Sequence, residues 1–211
     1  LSVVQDGNEE IIERVSDVIA SNPQLFQNAI YSKINSENCF VRWTVVLAIM
    51  KLKEPQYLQD LIPAIGLGYE PVVKIILETL RALEPKRFPS SNLKHILRNL
   101  NRFEKKKVIK NAIKQLGEGA LDVTETLFAM DVLKYLREKE SIVPLLKAKD
   151  HQDFRVRERA IQILSNDFNA KEIFESCVYW VRNKDELNSL YDYELPATRR
   201  SLPLHLYAIE D

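Results

Sequence analysis

The densest group of charged side chains is basic and falls in the middle of the chain. Seven basic residues occupy seventeen positions, and Glu104 is the only acid among them. On a helix, residues four apart share a face, so Arg102, Lys106 and Lys110 can act together on a phosphate or an acidic protein. The alternative is a solvated outer face, because such blocks are common on soluble helices and no aromatic residues interleave here for base stacking. The basic residues are Arg98, Arg102, Lys105, Lys106, Lys107, Lys110 and Lys114.

Residues that could support catalysis or bind a metal are scattered. His95, His151 and His205 lie apart from any cysteine or carboxylate at zinc-site spacing. The sequence has no glycine-rich phosphate loop, no Gly-x-Ser-x-Gly elbow and no HExxH motif. Asp122 and Glu125 are better explained by helix capping than by acid–base catalysis. We therefore predict no enzyme activity, no metal and no cofactor.

Composition narrows the classes of protein further. Thirty basic and thirty acidic residues cancel, and 45% of the residues are hydrophobic, so we expect a folded chain without a global attraction for nucleic acid. Cys39 and Cys177 lie inside apolar helical patterns, which favours buried free thiols and a cytoplasmic protein. We expect no direct membrane insertion, because no apolar run is long enough to span a bilayer. The start at Leu1 favours a segment of a longer protein.

Helices are the predicted elements throughout. The chain has only five glycines, and its apolar residues recur at spacings of three and four. Four periodic helices begin near Val41, Val73, Val123 and Val156. Each follows another amphipathic helix, and the breaker-rich stretch after Glu84 introduces a short extra helix near 92–100. The four preceding helices are predicted at 23–34, 56–66, 104–116 and 139–148.

The periodic helices repeat along the chain. From Val41 to Val73, from Val73 to Val123, and from Val123 to Val156 the intervals are 32, 50 and 33 residues. Two of these intervals suit one helical hairpin, and hairpins of this period stack because none can bury its own apolar face. The sequence predicts an all-α superhelix, or solenoid, of about four hairpins.

Capping signals agree with these boundaries. Asn22 followed by Pro23 predicts a helix start, and the pairs Asp122 with Glu125 and Asn169 with Glu172 have the spacing of a capping box. Gly117 and Gly119 suit the end of the helix that Leu116 closes.

The second helices of these hairpins resemble those of the HEAT repeat family. In that family the second helix commonly opens with a Val-Arg pair, and Val41-Arg42, Val73-Lys74 and Val156-Arg157 stand at that place. First helices of such repeats often carry a proline, as Pro63 and Pro144 do here, and each proline should bend its helix. The resemblance covers roughly residues 20–182. The third repeat departs from this pattern, because Val123 is followed by Thr124 and not by a basic residue. The tetratricopeptide repeat is the nearest alternative family for repeats of this length.

The resemblance implies a right-handed or gently curved stack with a concave face lined by the second helices. It also implies a ladder in which the basic residue pairs with an upstream acid: Glu37 for Arg42, and Asp150 or Asp153 for Arg157. Arg155, Arg157 and Arg159 step by two, so they cannot all meet one ligand. The positions expected to be exposed on the concave face are Arg42, Thr44, Lys74, Glu78, Thr124 and Glu158.

Two regions are predicted: a repeat array over 1–184 and a C-terminal cap or linker over 185–211. Aromatic residues concentrate near the C-terminus, where they suit either a cap over the last repeat or a docking site for an adjoining domain. They are Phe168, Phe174, Tyr179, Trp180, Tyr191, Tyr193 and Tyr207.

The resulting hypothesis is a non-catalytic HEAT-repeat scaffold that binds a protein partner. A nucleic-acid binder similar to the HEAT-like alkylpurine DNA glycosylases is one alternative, and a protein similar to the HEAT-like bilin lyases is another. The candidate partner-binding residues are Arg42, Lys74, Arg102, Lys106, Lys110 and Arg157.

Overall fold

The computed structural model describes residues 2–4, 7–36, 38–116 and 122–183. Throughout these residues the chain forms α-helices and short 3-10 turns and contains no strand, which confirms the predicted all-α class. Three 3-10 turns span Ser2–Val4, Pro55–Tyr57 and Ile65–Leu67. The α-helices are α1 Glu9–Ser21, α2 Pro23–Lys33, α3 Cys39–Leu52, α4 Leu58–Ala64, α5 Glu70–Leu83, α6 Leu93–Arg98, α7 Arg102–Lys114, α8 Val123–Leu136, α9 Lys139–Ala148, α10 Phe154–Asp167 and α11 Ala170–Arg182.

The predicted helices agree closely with the observed ones. The helix predicted at 139–148 matches α9, and the short helix predicted near 92–100 is α6. The helix predicted at 56–66 is divided: α4 contains Pro63 and ends one residue later, and a 3-10 turn continues the chain. A proline removes one backbone donor and crowds the preceding turn, which fits a short α-helix here. The predictions did not include α1.

The helices pack in two successions. In the first, α1 packs on α3 and α3 on α5; in the second, α4 packs on α7, α7 on α9, and α9 on α11. Helix α8 contacts α6, α7 and α10, and α10 also packs on α9. The buried apolar side chains form one continuous cluster that runs from Ile19 in α1 to Trp180 in α11. A smaller buried cluster joins Val4 of the first 3-10 turn to Ile12 of α1 and to Val41 and Leu47 of α3.

Helix α3 is enclosed on nearly every side. All its residues from Val41 to Ile49 are buried except Trp43, which is half-buried. A helix that is apolar around its whole circumference belongs in a protein interior. Its neighbours α1, α2 and α5 provide that interior.

Helix caps follow local sequence except where a distant partner intervenes. The capping box predicted for Asn169 and Glu172 is present, and a second one joins Asn101 to Glu104. Asp122 caps α8 by accepting from the Thr124 amide at 2.7 Å, but Glu125 does not complete the predicted box. Its carboxylate is bound to Arg42 instead. Gly117 and Gly119 lie outside the described residues.

Asn22 stands at the predicted helix start, before Pro23 in the first turn of α2. Its side-chain amide donates to the Val18 carbonyl at 3.1 Å, so it helps to end α1 and makes no side-chain bond to the amides of α2. The same residue thus serves two helices.

Two helices end at a residue other than glycine with a positive φ. Lys53 after α3 and Arg137 after α8 both adopt the left-handed conformation, with φ of 54° and 52°. Gly68 has φ of 79°, and a Cβ built there would lie 2.2 Å from the Glu125 carbonyl oxygen. Glycine at 68 therefore permits the turn after α4 to contact the backbone of α8 closely.

None of the helices in the described part of the chain is long and apolar enough to cross a membrane. The predicted cap or linker at 185–211 lies outside the described residues, as do Tyr191, Tyr193 and Tyr207. Of the remaining C-terminal aromatic residues, Phe168 and Trp180 are buried in the main core, whereas Phe174 and Tyr179 are partly exposed.

Candidate binding surfaces

Arg42 lies in the interior, where it joins two helices that are far apart in sequence. Its Nη2 donates to Glu125 Oε1 at 2.9 Å, and its Nη1 donates to the Ser36 carbonyl at 2.6 Å. The Arg42 side chain is 1% exposed and that of Glu125 11% exposed. The prediction that Arg42 is exposed on a concave face is wrong, because α3 is covered by its neighbours. Its predicted partner Glu37 lies outside the described residues.

Thr44 is also buried, contrary to its predicted exposure. Its hydroxyl donates to the Phe40 carbonyl at 2.9 Å, one turn earlier in α3. This local bond satisfies the hydroxyl inside the helix and leaves no group for a partner.

The buried ion pair is costly to form. Burial raises the pKa of the Glu125 carboxyl, the Arg42 guanidinium opposes that rise, and the nearby Asp122 carboxylate adds to it. The pKa stays raised because the unfavourable removal of the Glu125 carboxylate from water outweighs its favourable interaction with Arg42. The pair therefore fixes how α3 and α8 meet, at a cost to the ionised carboxylate.

Aromatic residues and a thiol surround this pair. The Tyr69 ring lies 6.2 Å from the rings of both Phe40 and Trp43. The Trp43 indole nitrogen is buried and finds no hydrogen-bond acceptor among the described residues. Cys39 is a half-buried free thiol whose pKa is raised, chiefly by burial and then by Glu125. The prediction of free cysteines is confirmed, with Cys177 the more deeply buried of the two.

Arg157 occupies the position in α10 that Arg42 occupies in α3. Each is the fourth residue after its N-cap, which is Asp153 for α10 and Asn38 for α3. The Nη1 of Arg157 donates to the His151 carbonyl at 2.8 Å, six residues upstream, as Arg42 donates to Ser36. The bond to an upstream carbonyl is therefore common to the two arginines.

The prediction that Arg157 pairs with Asp150 or Asp153 is wrong. Asp153 pairs with Arg155 at 2.9 Å, and the hydrogen bonds from Arg155 lower the pKa of Asp153 to about 2. Arg157 remains half-exposed, and Nη1 also donates to the Gln152 carbonyl at 2.7 Å. Arg157 thus closes its own loop instead of pairing with Asp150 or Asp153.

Charge pairs link neighbouring helices elsewhere, although at positions other than those predicted. Arg159 of α10 binds Asp131 of α8, with Nε at 3.1 Å from Oδ1. Lys139 of α9 lies 2.9 Å from Glu175 of α11. Exposed pairs of this kind contribute roughly 0–1 kcal/mol each, so they help to orient the helices more than they stabilise them.

The remaining predicted concave-face positions are exposed. They are Lys74 and Glu78 on α5, Thr124 on α8 and Glu158 on α10. Lys74, Glu78 and Glu158 make no salt bridge to any residue in the described ranges. Helices α5 and α10 thus present exposed charged side chains that form no salt bridge within the described residues. Arg42 of α3 is not among them, because it is buried.

The predicted basic stretch forms an exposed face on α7. Arg102, Lys106 and Lys110 are exposed, and within the described part of the chain they make no ion pair. Lys105, by contrast, lies 3.9 Å from Glu138, the residue before α9. Arg98, Lys107 and Lys114 are also exposed.

Phe103 lies within this face and is 79% exposed. The prediction that no aromatic residue accompanies the basic side chains is therefore wrong. Phe103 was overlooked because it precedes the run of lysines in sequence, whereas helical geometry brings position 103 beside positions 106, 107 and 110. The basic face here means Arg102, Phe103, Lys106, Lys107 and Lys110.

A shallow groove runs along one edge of the basic face. The groove is lined by Arg102, Lys105, Lys106 and Ile109 of α7 and by Glu138 and Glu140 at the start of α9. On the other edge, burial raises the pKa of the Asp60 carboxyl of α4, and the nearby Lys107 opposes that rise. The basic face is thus bordered by acids on both sides.

The His151 side chain takes part in a local turn. The His151 Nδ1 accepts a hydrogen bond from the Asp153 amide at 3.0 Å, in the turn before α10. No group of three or more potential metal ligands occurs within the described ranges. His205 lies beyond them.

Comparisons with family models, with curated proteins and with solved structures give no match to this chain.

Proposed function

We propose that this chain is an array of HEAT-like helical hairpins whose function is to bind another protein, without catalysing a reaction on it. The observation that carries the proposal is the order of helix contacts. Successive first helices α4, α7, α9 and α11 pack side by side, while α3 packs on α5 and α8 on α10. Such a succession is expected of stacked hairpins, each of which buries its apolar face against the next.

The repeated arginine geometry supports the same proposal. Arg42 and Arg157 lie 115 residues apart and make the same bond to a carbonyl six residues upstream, at the same place in their helices. A shared local device at equivalent positions is what repeated hairpins predict. The left-handed residues that end α3 and α8 are a second shared device.

In this proposal, a partner contacts the flank formed by α5, α8 and α10. Lys74, Glu78, Thr124 and Glu158 are the exposed side chains there, and their mixed charges suit a protein surface better than a polyanion. Arg42 supports this flank from inside, since it ties α3 to α8.

The test is capture of a partner by the tagged chain, followed by calorimetry with the purified partner. The variant Lys74→Glu with Glu158→Lys keeps the net charge and should weaken binding roughly tenfold, equivalent to about 1.4 kcal/mol. The matched control exchanges the exposed Glu10–Arg14 pair of α1, as Glu10→Arg with Arg14→Glu, and should bind like the wild type.

Two results would overturn the proposal. One is a chain that binds no protein stoichiometrically, and the other is a partner whose affinity is the same for both double variants. Thermal unfolding of each variant, followed by circular dichroism, verifies that a loss of binding is not a loss of folding.

A further inference from the structure

The basic face on α7 has no explanation in the stability of the fold. Arg102, Lys106 and Lys110 are spaced by four, so their like charges repel one another along the helix. Arg102 also lies in the first turn, where the helix dipole disfavours a cation. Both effects destabilise α7, and apolar or acidic residues would serve the helix better at these positions.

The one acid of α7 is unable to compensate these charges. The Glu104 carboxylate accepts from the Asn101 amide at 2.8 Å in the capping box and also pairs with Arg87. It is buried, with a side-chain exposure of 11%. The three basic residues are therefore left to solvent or to a partner.

An exposed phenylalanine in the middle of these charges adds an apolar contact point. Phe103 is 79% exposed and packs on no described cluster of buried residues. Aromatic and arginine side chains contribute disproportionately to protein interfaces. Phe103 beside Arg102 thus gives the basic face both an anchor and a charge.

We propose that the basic face of α7 binds an acidic, amphipathic helical segment of a partner protein. Four residues of helix rise about 6 Å, so carboxylates at the same spacing on a partner helix would match Arg102, Lys106 and Lys110 in register. An apolar residue beside them would cover Phe103. This face lies on a first helix, so it is a second surface, separate from the flank proposed above.

The acids beside the face favour a peptide over nucleic acid. Glu138 and Glu140 line the adjoining groove, and Asp60 lies on the other edge. A continuous polyphosphate crossing these edges would be repelled, whereas a peptide can place carboxylates over the centre and neutral or basic groups at the margins. The chemistry of the borders therefore selects a partner with localised acidity.

The probe is a fluorescent amidated helical peptide with glutamate at every fourth position and leucine beside each glutamate. We expect the anisotropy titration to show binding that weakens as salt rises, and a peptide with glutamine for glutamate to bind at least tenfold more weakly. Lys106→Glu with Lys110→Glu should also weaken binding at least tenfold. Phe103→Ala should weaken it severalfold without changing the thermal midpoint.

The matched control is Lys171→Glu with Arg182→Glu on α11, which changes the net charge by the same amount at two exposed positions. It should retain most of the wild-type affinity for the probe. Equal losses in the two double variants would mean a response to net charge alone and would overturn the proposal.

Two further arms separate the alternatives. A single-stranded oligonucleotide that displaces the peptide at lower concentration than unlabelled peptide does would assign the face to nucleic acid and overturn the proposal. Equal affinity of the glutamine peptide would do the same by removing the role of charge. Because the probe is synthetic, failure here leaves the α5–α8–α10 flank untouched, and failure of partner capture leaves this face untouched.

Discussion

Arg42 and Arg157 begin with the same local geometry and finish in different environments. Both donate Nη1 to a carbonyl six residues upstream. Arg42 is then enclosed between α3 and α8 and donates Nη2 to Glu125, whereas Arg157 remains half-exposed on α10. The bond to the upstream carbonyl thus depends on the local loop, whereas the ion pair depends on a helix that is distant in sequence. An arginine at the same place in its helix can therefore support either a loop or the packing of two helices.

Replacing Arg42 should separate these two roles most strongly. We expect Arg42→Met to lower the free energy of unfolding by about 3–5 kcal/mol, because it leaves the Glu125 carboxylate buried without a partner. Urea denaturation at neutral pH measures the loss. A loss below about 1 kcal/mol would mean that water already reaches Glu125 and that the two arginines are energetically alike.

A substitution at Gly68 tests whether its close contact with the backbone of α8 is coupled to the Arg42–Glu125 ion pair. Gly68→Ala introduces a Cβ against the Glu125 carbonyl and forces alanine to a φ of 79°, and we expect a loss of roughly 2–4 kcal/mol. Denaturation of the single and double variants should show that Gly68→Ala costs less when Arg42 is already methionine. Strict additivity of the two losses would show that the contacts are independent.

The pH dependence of stability sharpens the role of Glu125. Its pKa is raised above the ordinary 4.5 in the folded state, so the folded protein holds this proton more tightly. Its contribution to stability is therefore fully present below the ordinary value and is lost as pH rises through the folded pKa. In Arg42→Met the pKa should rise further, because the opposing guanidinium is gone. The deficit of this variant should thus be greatest at neutral pH and shrink on acidification.

Removal of the carboxylate provides the control for that pH effect. Arg42→Met combined with Glu125→Gln should recover part of the stability at neutral pH, and its difference from Arg42→Met should diminish as the solution is acidified. Denaturation midpoints over a pH series measure this. A deficit of Arg42→Met that stays constant with pH would contradict the assignment to Glu125.

Arg157 should give the smallest effect. Arg157→Met removes hydrogen bonds to the His151 and Gln152 carbonyls in a half-exposed loop, and we expect a loss of about 1 kcal/mol. No carboxylate is left buried, so the loss should not vary between neutral and mildly acidic pH. A loss as large as that of Arg42→Met would mean that the loop, and not the ion pair, is the common source of stability.

The sequence predicted what local chemistry determines. The periodic spacing of apolar residues located α3, α5, α8 and α10, and Asn169 with Glu172 identified a capping box because both partners lie within one turn. Helix α1 was not predicted, although it is strongly amphipathic, because it lies before the first predicted repeat and has no counterpart in the alignment.

Two of the errors concern contacts between distant residues. Glu125 was assigned to a cap because Asp122 lies three residues before it, but Arg42, 83 residues away, binds its carboxylate. The exposure of Arg42 was wrong for the same reason, since the alignment gives a register and not the neighbours that bury it. Phe103 was missed for a local reason: it precedes the run of lysines in sequence, whereas helical geometry places it beside Lys106, Lys107 and Lys110.

The environment of Cys39 makes the thiol a slow chemical reporter. Burial and the nearby Glu125 raise its pKa, so the nucleophilic thiolate is scarce at neutral pH and alkylation should be slow. Any opening that separates the ends of α3 and α8 would hydrate the sulfur and accelerate the reaction. The rate at which iodoacetamide modifies Cys39 can therefore measure how often the ends of α3 and α8 separate locally while the rest of the protein stays folded.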